Sequence, residues 1–124
     1  GTWTNELGGT TLYTSINETA SDDADYIQSV EGPSLEVCSV ALGDPGVTPA
    51  EPMSVHYRFA KDIASGTMDL RVRLMQGASP IATWTETNIS TNLLYVEHTL
   101  TAAEFASISD FTALTPAFRA NYTP

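Results

Sequence analysis

The chain has 124 residues, a hydrophobic fraction of 42% and a single cysteine. This length suits one domain with its own core, so we expect a single domain over residues 1–124, without an internal disulfide or a cysteine-based zinc site. Fifteen acidic against five basic residues give a formal charge of −10, which repels nucleic-acid phosphates and anionic membranes. No apolar run approaches the ~20 residues needed to span a bilayer. We therefore expect no nucleic-acid partner and no membrane partner.

The charge is distributed unevenly along the chain. Residues 1–57 contain nine acids and no Lys or Arg, whereas all five basic residues lie between positions 58 and 119. Either acidic and basic strands interleave in one fold, or the acidic part faces a cation or a basic partner. We favour interleaving, because surface charge is usually only solvated.

Several segments alternate apolar and polar residues, which is the period-two pattern of half-buried strands. The clearest is segment 68–74, whose apolar residues Leu70, Val72 and Leu74 line one face while Arg71 and Arg73 on the other face meet water. This sharp alternation indicates an antiparallel strand between a core and solvent.

Two hairpins are predicted around this strand. Segment 55–61 alternates in the same way, and the short Gly-containing loop 62–67 predicts that it pairs with 68–74. The turn 76–80 leads into a Thr-rich and aromatic strand at 81–87, which predicts a second hairpin with 68–74.

Three further strands are predicted, at 34–42, 93–100 and 113–120. The last contains Pro116, which argues for a sheet edge or a strand start. The segment 43–52 holds three prolines and two glycines, so we expect a surface loop there.

A short helix is predicted near residues 102–108. Thr101 and Glu104 match a capping box, with Thr as the N-cap and Glu three residues later. About two turns are too short to be stable alone, so this helix must pack on a sheet. Seven or eight strands and one short helix indicate an all-β, antiparallel β-sandwich.

The order of these segments carries a family resemblance, through the motifs LYTSINE, SDDADYIQS, VCSVAL, VHYRFAKD, GTMDLRVRLMQG, IATWTETNI and LTAAEFASISDFTAL. The series is similar to jelly-roll-like β-sandwich domains of tailed-phage and prophage structural proteins. The matching positions are Trp3, Leu12, Tyr13, Asp22, Asp23, Ala24, Asp25, Tyr26, Ile27, Thr101 and Glu104. The resemblance implies a jelly-roll-like decoration, spike or fibre module, an architecture shared with carbohydrate-binding modules.

Asp22, Asp23 and Asp25 form the densest acidic cluster of the sequence. Neighbouring carboxylates with loop carbonyls suit a structural calcium ion, but the spacing is not that of an EF-hand. We favour a turn in which these aspartates bond to the local backbone, and keep calcium as the only cofactor to be considered.

Two aromatic residues are candidate ligand platforms, because flat rings stack on the apolar faces of sugars. Trp84 shares its strand face with Glu86, which predicts partial exposure, and Tyr95 lies on the polar face of its strand. Packing in the core or at an interface is the favoured alternative for Trp84.

No catalytic motif accompanies the remaining reactive residues. His56 and His98 lie on separate predicted strands, without a Gly-x-Ser-x-Gly elbow or an HExxH motif. Cys38 lies in an apolar strand within the half of the chain that has no basic residue, so nothing there activates a thiolate. We therefore predict a protein that is not an enzyme.

Two functional hypotheses remain open. The first is a non-enzymatic virion structural module that acts through contacts with other virion proteins or copies of itself, and through adhesion to a host surface. The second is a carbohydrate-binding module of a secreted protein, with surface glycans as ligands. Both hypotheses place the chain on a virion or outside the cell.

Overall fold

Eight strands and one short α-helix make up the described part of the computed structural model, which covers residues 3–5, 7–10, 26–42 and 46–124. The strands are β1 (Thr4–Asn5), β2 (Ile27–Gln28), β3 (Ser34–Ser39), β4 (Ser54–Phe59), β5 (Thr67–Gln76), β6 (Ser79–Glu86), β7 (Leu94–Thr99) and β8 (Leu114–Thr123). The helix α1 (Ala102–Ala106) and a 3₁₀ turn (Phe111–Ala113) lie between β7 and β8. The predicted all-β class is confirmed.

The strands form a four-stranded sheet with the order β3-β8-β5-β6 and two two-stranded sheets, β1-β2 and β4-β7, all antiparallel. The pairings are nested, since β5 pairs with β6, β4 with β7, and β3 with β8. The additional β5-β8 pairing joins the innermost and outermost pairs into one sheet. This connectivity is jelly-roll-like.

The four-stranded sheet presents its apolar face to a core. Leu70, Val72 and Leu74 of β5 are buried, which confirms the faces predicted for this strand. Burial of each such side chain stabilises the folded state by roughly 1.5–3 kcal/mol relative to leaving it exposed to water. The outer face of the same strand is less exposed than predicted, because Arg71 and Arg73 are half-buried.

The two small sheets supply the opposing layer of a sandwich-like arrangement. Trp3, next to β1, lies 6.4 Å from the ring of Phe118 on β8. Phe59 of β4 belongs to the same buried cluster as Leu70 and Val72 of β5. A second buried cluster lies towards the other end of the sheet, and consists of Leu74, Ala82, Leu100, Ile108 and Leu114.

The hairpin predicted between segments 55–61 and 68–74 is wrong. β4 pairs with β7, from Ser54↔Thr99 to Phe59↔Leu94, and β5 lies in the other layer. The connection 60–66 therefore crosses between layers rather than reversing within one sheet. The second predicted hairpin is confirmed, because β5 pairs with β6 from Leu70↔Glu86 to Gln76↔Ser79.

The other predicted elements are confirmed with shifted bounds or positions. The strand predicted at 34–42 ends at Ser39, and α1 begins after Thr101, whose side chain accepts from the Glu104 backbone N–H. Pro116 lies in a central strand, not at an edge. Its carbonyl accepts from Val40, which lies beyond the end of β3, so the missing N–H falls where that neighbour strand stops.

Candidate functional site

A cluster of polar side chains lies between the two layers. The Tyr57 hydroxyl on β4 donates to Glu86 Oε1 on β6 at 2.6 Å. Nε2 of His98 on β7 lies 2.9 Å from the same carboxylate oxygen and 3.1 Å from the Tyr57 hydroxyl. Three strands from two sheets thus meet at one oxygen atom.

The electrostatics of this cluster keep Tyr57 protonated and Glu86 ionised. Burial, the hydrogen bond to Glu86 and the negative charge of Glu86 together raise the pKa of Tyr57 far above its usual value. Burial alone would raise the pKa of Glu86, but the hydrogen bonds from Tyr57 and His98 outweigh it and lower that pKa. At neutral pH Glu86 is therefore an acceptor and Tyr57 a donor, which suits a fixed tie between layers rather than proton transfer.

Trp84 lies half-buried beside this cluster. Its ring stacks on the His98 imidazole with a centroid distance of 4.9 Å and an interplanar angle of 8°. The ring also packs against both buried clusters. One face of this predicted platform is therefore covered by the protein itself.

Tyr95 lies elsewhere, on the outer face of the β4-β7 sheet, and its side chain is 54% exposed. Its hydroxyl is hydrogen-bonded to Nδ1 of His56, and the two rings meet edge to face at 5.8 Å. Because Tyr95 and His98 point to opposite faces of β7, the structure does not bring Tyr95 and Trp84 together in one platform.

The reactive residues considered from the sequence are also separated. His56 Nε2 lies 3.6 Å from Glu97 on the outer face, away from His98 in the interlayer. Burial raises the pKa of the Cys38 thiol, which keeps it protonated. Among the described side chains, the Tyr57–Glu86–His98 cluster is hydrogen-bonded only within itself.

The predicted calcium ligands Asp22, Asp23 and Asp25 lie outside the described residues. Within the described ranges, no three His, Cys, Asp or Glu residues gather closely enough to hold a metal ion. The same part of the chain contains no helix with the length and apolarity needed to cross a membrane.

Within the described residues, β7 has an edge without a neighbouring strand, and this edge differs from those of β3, β4 and β6. β3 has an irregular register between Ser34 and Val37, and Pro80 interrupts β6. β4 carries Arg58, whereas β7 (Leu94–Thr99) has a regular register and contains no Pro, Gly, Lys or Arg. Among the described residues, β7 pairs only with β4.

Three consecutive large apolar side chains lie where β7 begins. Leu93, Leu94 and Tyr95 are 45%, 47% and 54% exposed. Proteins usually protect sheet edges with charges, prolines or bulges, since unpaired N–H and C=O groups template pairing with another chain. An unprotected edge beside exposed apolar side chains is thus the clearest contact surface of the described structure.

The comparisons with known proteins add no relative: no family model matches the chain, and no curated protein or solved structure is significantly similar to it. The predicted likeness to phage structural domains therefore stays a prediction.

The interlayer cluster was not predicted from the sequence, although the strand position of each member indicates that its side chain points towards the core. Tyr57, Glu86 and His98 all occupy the apolar parity of their strands. Polar residues on an inward face require partners. The pairing of β4 with β7, on which the meeting depends, was not predicted.

Proposed function

We propose that the chain is a non-enzymatic structural module that joins neighbouring protein molecules by sheet-edge contact along β7. The observation that carries this proposal is the unprotected edge of β7 beside the exposed side chains of Leu93, Leu94 and Tyr95. The interlayer cluster supports the non-enzymatic role, because its hydrogen bonds are used in holding the layers together.

The partner at this edge is a second copy of the chain. Antiparallel pairing of β7 with β7 of another copy extends each two-stranded sheet into the order β4-β7-β7-β4. A two-fold axis relates such strands, which is the commonest symmetry of soluble oligomers. Glu97 is the only carboxylate on β7, which carries no Lys or Arg, so pairing centred before Glu97 brings no two carboxylates directly opposite each other.

The contact is expected to be weak when isolated. Stable interfaces bury about 800 Å² on each partner, and a six-residue edge with an apolar corner supplies less. Repetition on a particle multiplies weak contacts through avidity. This need for repetition, together with the resemblance noted above, supports a virion as the setting and a decoration, spike or fibre domain as the role.

The proposal is tested by Leu94→Lys, which places a charge at the edge, with Ile63→Lys as the matched control. Ile63 is similarly exposed, at 42%, but lies in the loop before β5. Multi-angle light scattering and sedimentation of the unmodified chain should show a dimer whose fraction increases with protein concentration. Leu94→Lys should abolish it, while Ile63→Lys should retain it, with all melting temperatures recorded.

Two results would contradict this role. One is a chain that stays monomeric at millimolar concentration, and the other is loss of the dimer in both variants. A strict monomer that binds a glycan array, with binding lost in Tyr95→Ala, would instead favour the carbohydrate-binding alternative.

A further inference from the structure

Three of the five basic residues lie on the outer face of the four-stranded sheet. Arg71 and Arg73 alternate with the buried residues of β5, and Arg71 lies directly opposite Arg119 of β8. Cross-strand neighbours with like charge repel each other. A chain with a net charge of −10 therefore concentrates most of its positive charge on one face, against that repulsion.

The guanidinium groups on this face are not neutralised within the described structure. Nε of Arg71 and Nε of Arg73 are shielded from solvent and have no hydrogen-bond partner. No ion pair joins these arginines to a described carboxylate. Asp69, the only acid of β5, instead accepts from the backbone N–H of Asn88 at 2.8 Å. Buried donors usually have an acceptor, so these two N–H groups are suited to bind an acceptor atom of a ligand on this face.

A groove of about 370 Å³ runs across this face. Arg71 and Arg73 line it together with the apolar side chains of Val37 and Met75. Ser39 on β3 and Thr115 on β8 also line the groove. The site therefore combines charge recognition with apolar contact.

The spacing of the arginines indicates the shape of the ligand. Residues two apart on a strand lie about 6.8 Å apart on the same face, and acids two apart in an extended peptide have the same spacing. Guanidinium groups bind planar carboxylates in a bidentate manner. The chain's net negative charge disfavours long polyanions such as nucleic acids, whose repulsion grows with length.

We propose that this groove is a binding site for an extended acidic peptide segment of a partner protein, with carboxylates at positions i and i+2 held by Arg71 and Arg73. Apolar side chains of the segment contact Val37 and Met75. The site lies on the other sheet from the β7 edge, so it is a second surface that works independently of self-association.

The test uses the full chain and a fluorescently labelled peptide with blocked termini. The peptide contains two Asp residues separated by one Val and flanked by Val. Fluorescence anisotropy should show saturable binding that weakens as salt rises. A peptide with both Asp residues replaced by Asn, and one with the two Asp residues adjacent, should each bind at least about tenfold more weakly, because a charge-assisted bidentate contact is lost.

Protein variants locate the site. Arg73→Gln and Arg71→Gln should each weaken binding by about tenfold or more, on the same grounds. Lys61→Gln, which removes the same charge from the loop between β4 and β5, should leave binding unchanged. Melting temperatures of all variants confirm that each is folded.

The proposal is overturned if the Asp and Asn peptides bind equally, if no peptide binds at millimolar concentration, or if Lys61→Gln reduces binding as much as the arginine variants. Two further arms use polygalacturonate and single-stranded DNA. Arginine-dependent binding of either polymer without binding of the peptide would assign the groove to another class of ligand and equally overturn the proposal.

Discussion

Gly66 stands just before β5, at the end of the loop that crosses between the layers, with a backbone φ of +71°. A Cβ atom built there would lie 2.5 Å from the ring of Tyr122 on β8. Gly77, in the turn between β5 and β6, has a similar φ of +59° but open space around it. The two glycines thus share one backbone requirement and differ in packing alone.

This difference predicts unequal effects of the same substitution. Gly77→Ala should lower the free energy of unfolding by about 1–2 kcal/mol, which is the cost of a left-handed backbone in an L-residue. Gly66→Ala should cost about 2–4 kcal/mol, because it adds an overpacking term against Tyr122. Urea denaturation of both variants measures the difference, and equal losses would contradict the close approach of Tyr122 to this turn.

Individual residue environments could be predicted where a local pattern determines them. The inward faces of β5 and the cap of α1 follow from alternation and from the Thr101–Glu104 spacing. The sequence placed Arg71 and Arg73 in water, because alternation gives the face of a residue but not its cross-strand neighbours. In the structure their neighbours on β8 are Arg119, opposite Arg71, and Ala117, opposite Arg73, both more than forty positions further along the chain.

At the scale of elements, the pair β5-β8 combines favourable packing with unfavourable charge. Burial and the positive charges of Arg119 and Arg73 lower the pKa of Arg71 below its usual range. This local repulsion destabilises the positive charge of Arg71. The net charge of −10 of the whole molecule has the opposite effect, because the excess of acidic residues attracts a positive charge. A substitution of Arg71 separates the two effects, because they have opposite signs.

We expect Arg71→Thr to raise the free energy of unfolding by about 0.5–1 kcal/mol at low ionic strength, since a like-charge cross-strand pair is removed and Thr favours strands. The gain should shrink as salt screens the repulsion. Lys61→Thr removes the same charge from a loop and should give no gain. A loss of stability in Arg71→Thr would mean that the global field outweighs the local pair.

A short loop between two strands did not suffice to predict their pairing. The β5-β6 hairpin follows from the compact turn around Gly77, whereas β4 was paired with β5 because a short Gly-containing loop joins them. In the structure that loop changes layer, and β4 finds β7 some forty residues away. Such pairing depends on closing both layers at once, which a local pattern does not encode. The edge of β7 consequently could not be foreseen either.

At the scale of the whole molecule, the two layers are connected by the Tyr57–Glu86–His98 cluster. The pKa of Tyr57 is raised in the folded chain above its ordinary value of about 10, so above pH 10 the unfolded chain loses a proton that the folded chain retains. The contribution of Tyr57 to stability is therefore fully present below pH 10 and falls as the pH rises beyond it. For Glu86, whose pKa is lowered, the sign is opposite, and its contribution is lost as the pH falls through its folded pKa.

Tyr57→Phe should remove this alkaline loss. The slope of unfolding free energy against pH above 10 should become less steep by at most about 1.4 kcal/mol per pH unit, and by less in practice because solvent screens the partly exposed cluster. Tyr95→Phe is the control, since the same atom is removed from an exposed residue. Urea denaturation at a series of pH values between 8 and 11.5 provides the measurement. Identical slopes of unfolding free energy against pH in both variants would argue against the hydrogen bond from Tyr57 to Glu86 as a link between the layers.

The nested order of the strands has a consequence for biosynthesis. Among the described strands, β8 is the last in chain order, yet it lies between β3 and β5 at the centre of the four-stranded sheet. While the polypeptide emerges from the ribosome, β3 remains without its neighbour, whereas the described pairs β1-β2, β4-β7 and β5-β6 do not depend on β8. The four-stranded sheet is therefore completed only after translation of Leu114–Thr123, and until then the nascent chain exposes the apolar surface that this strand will cover.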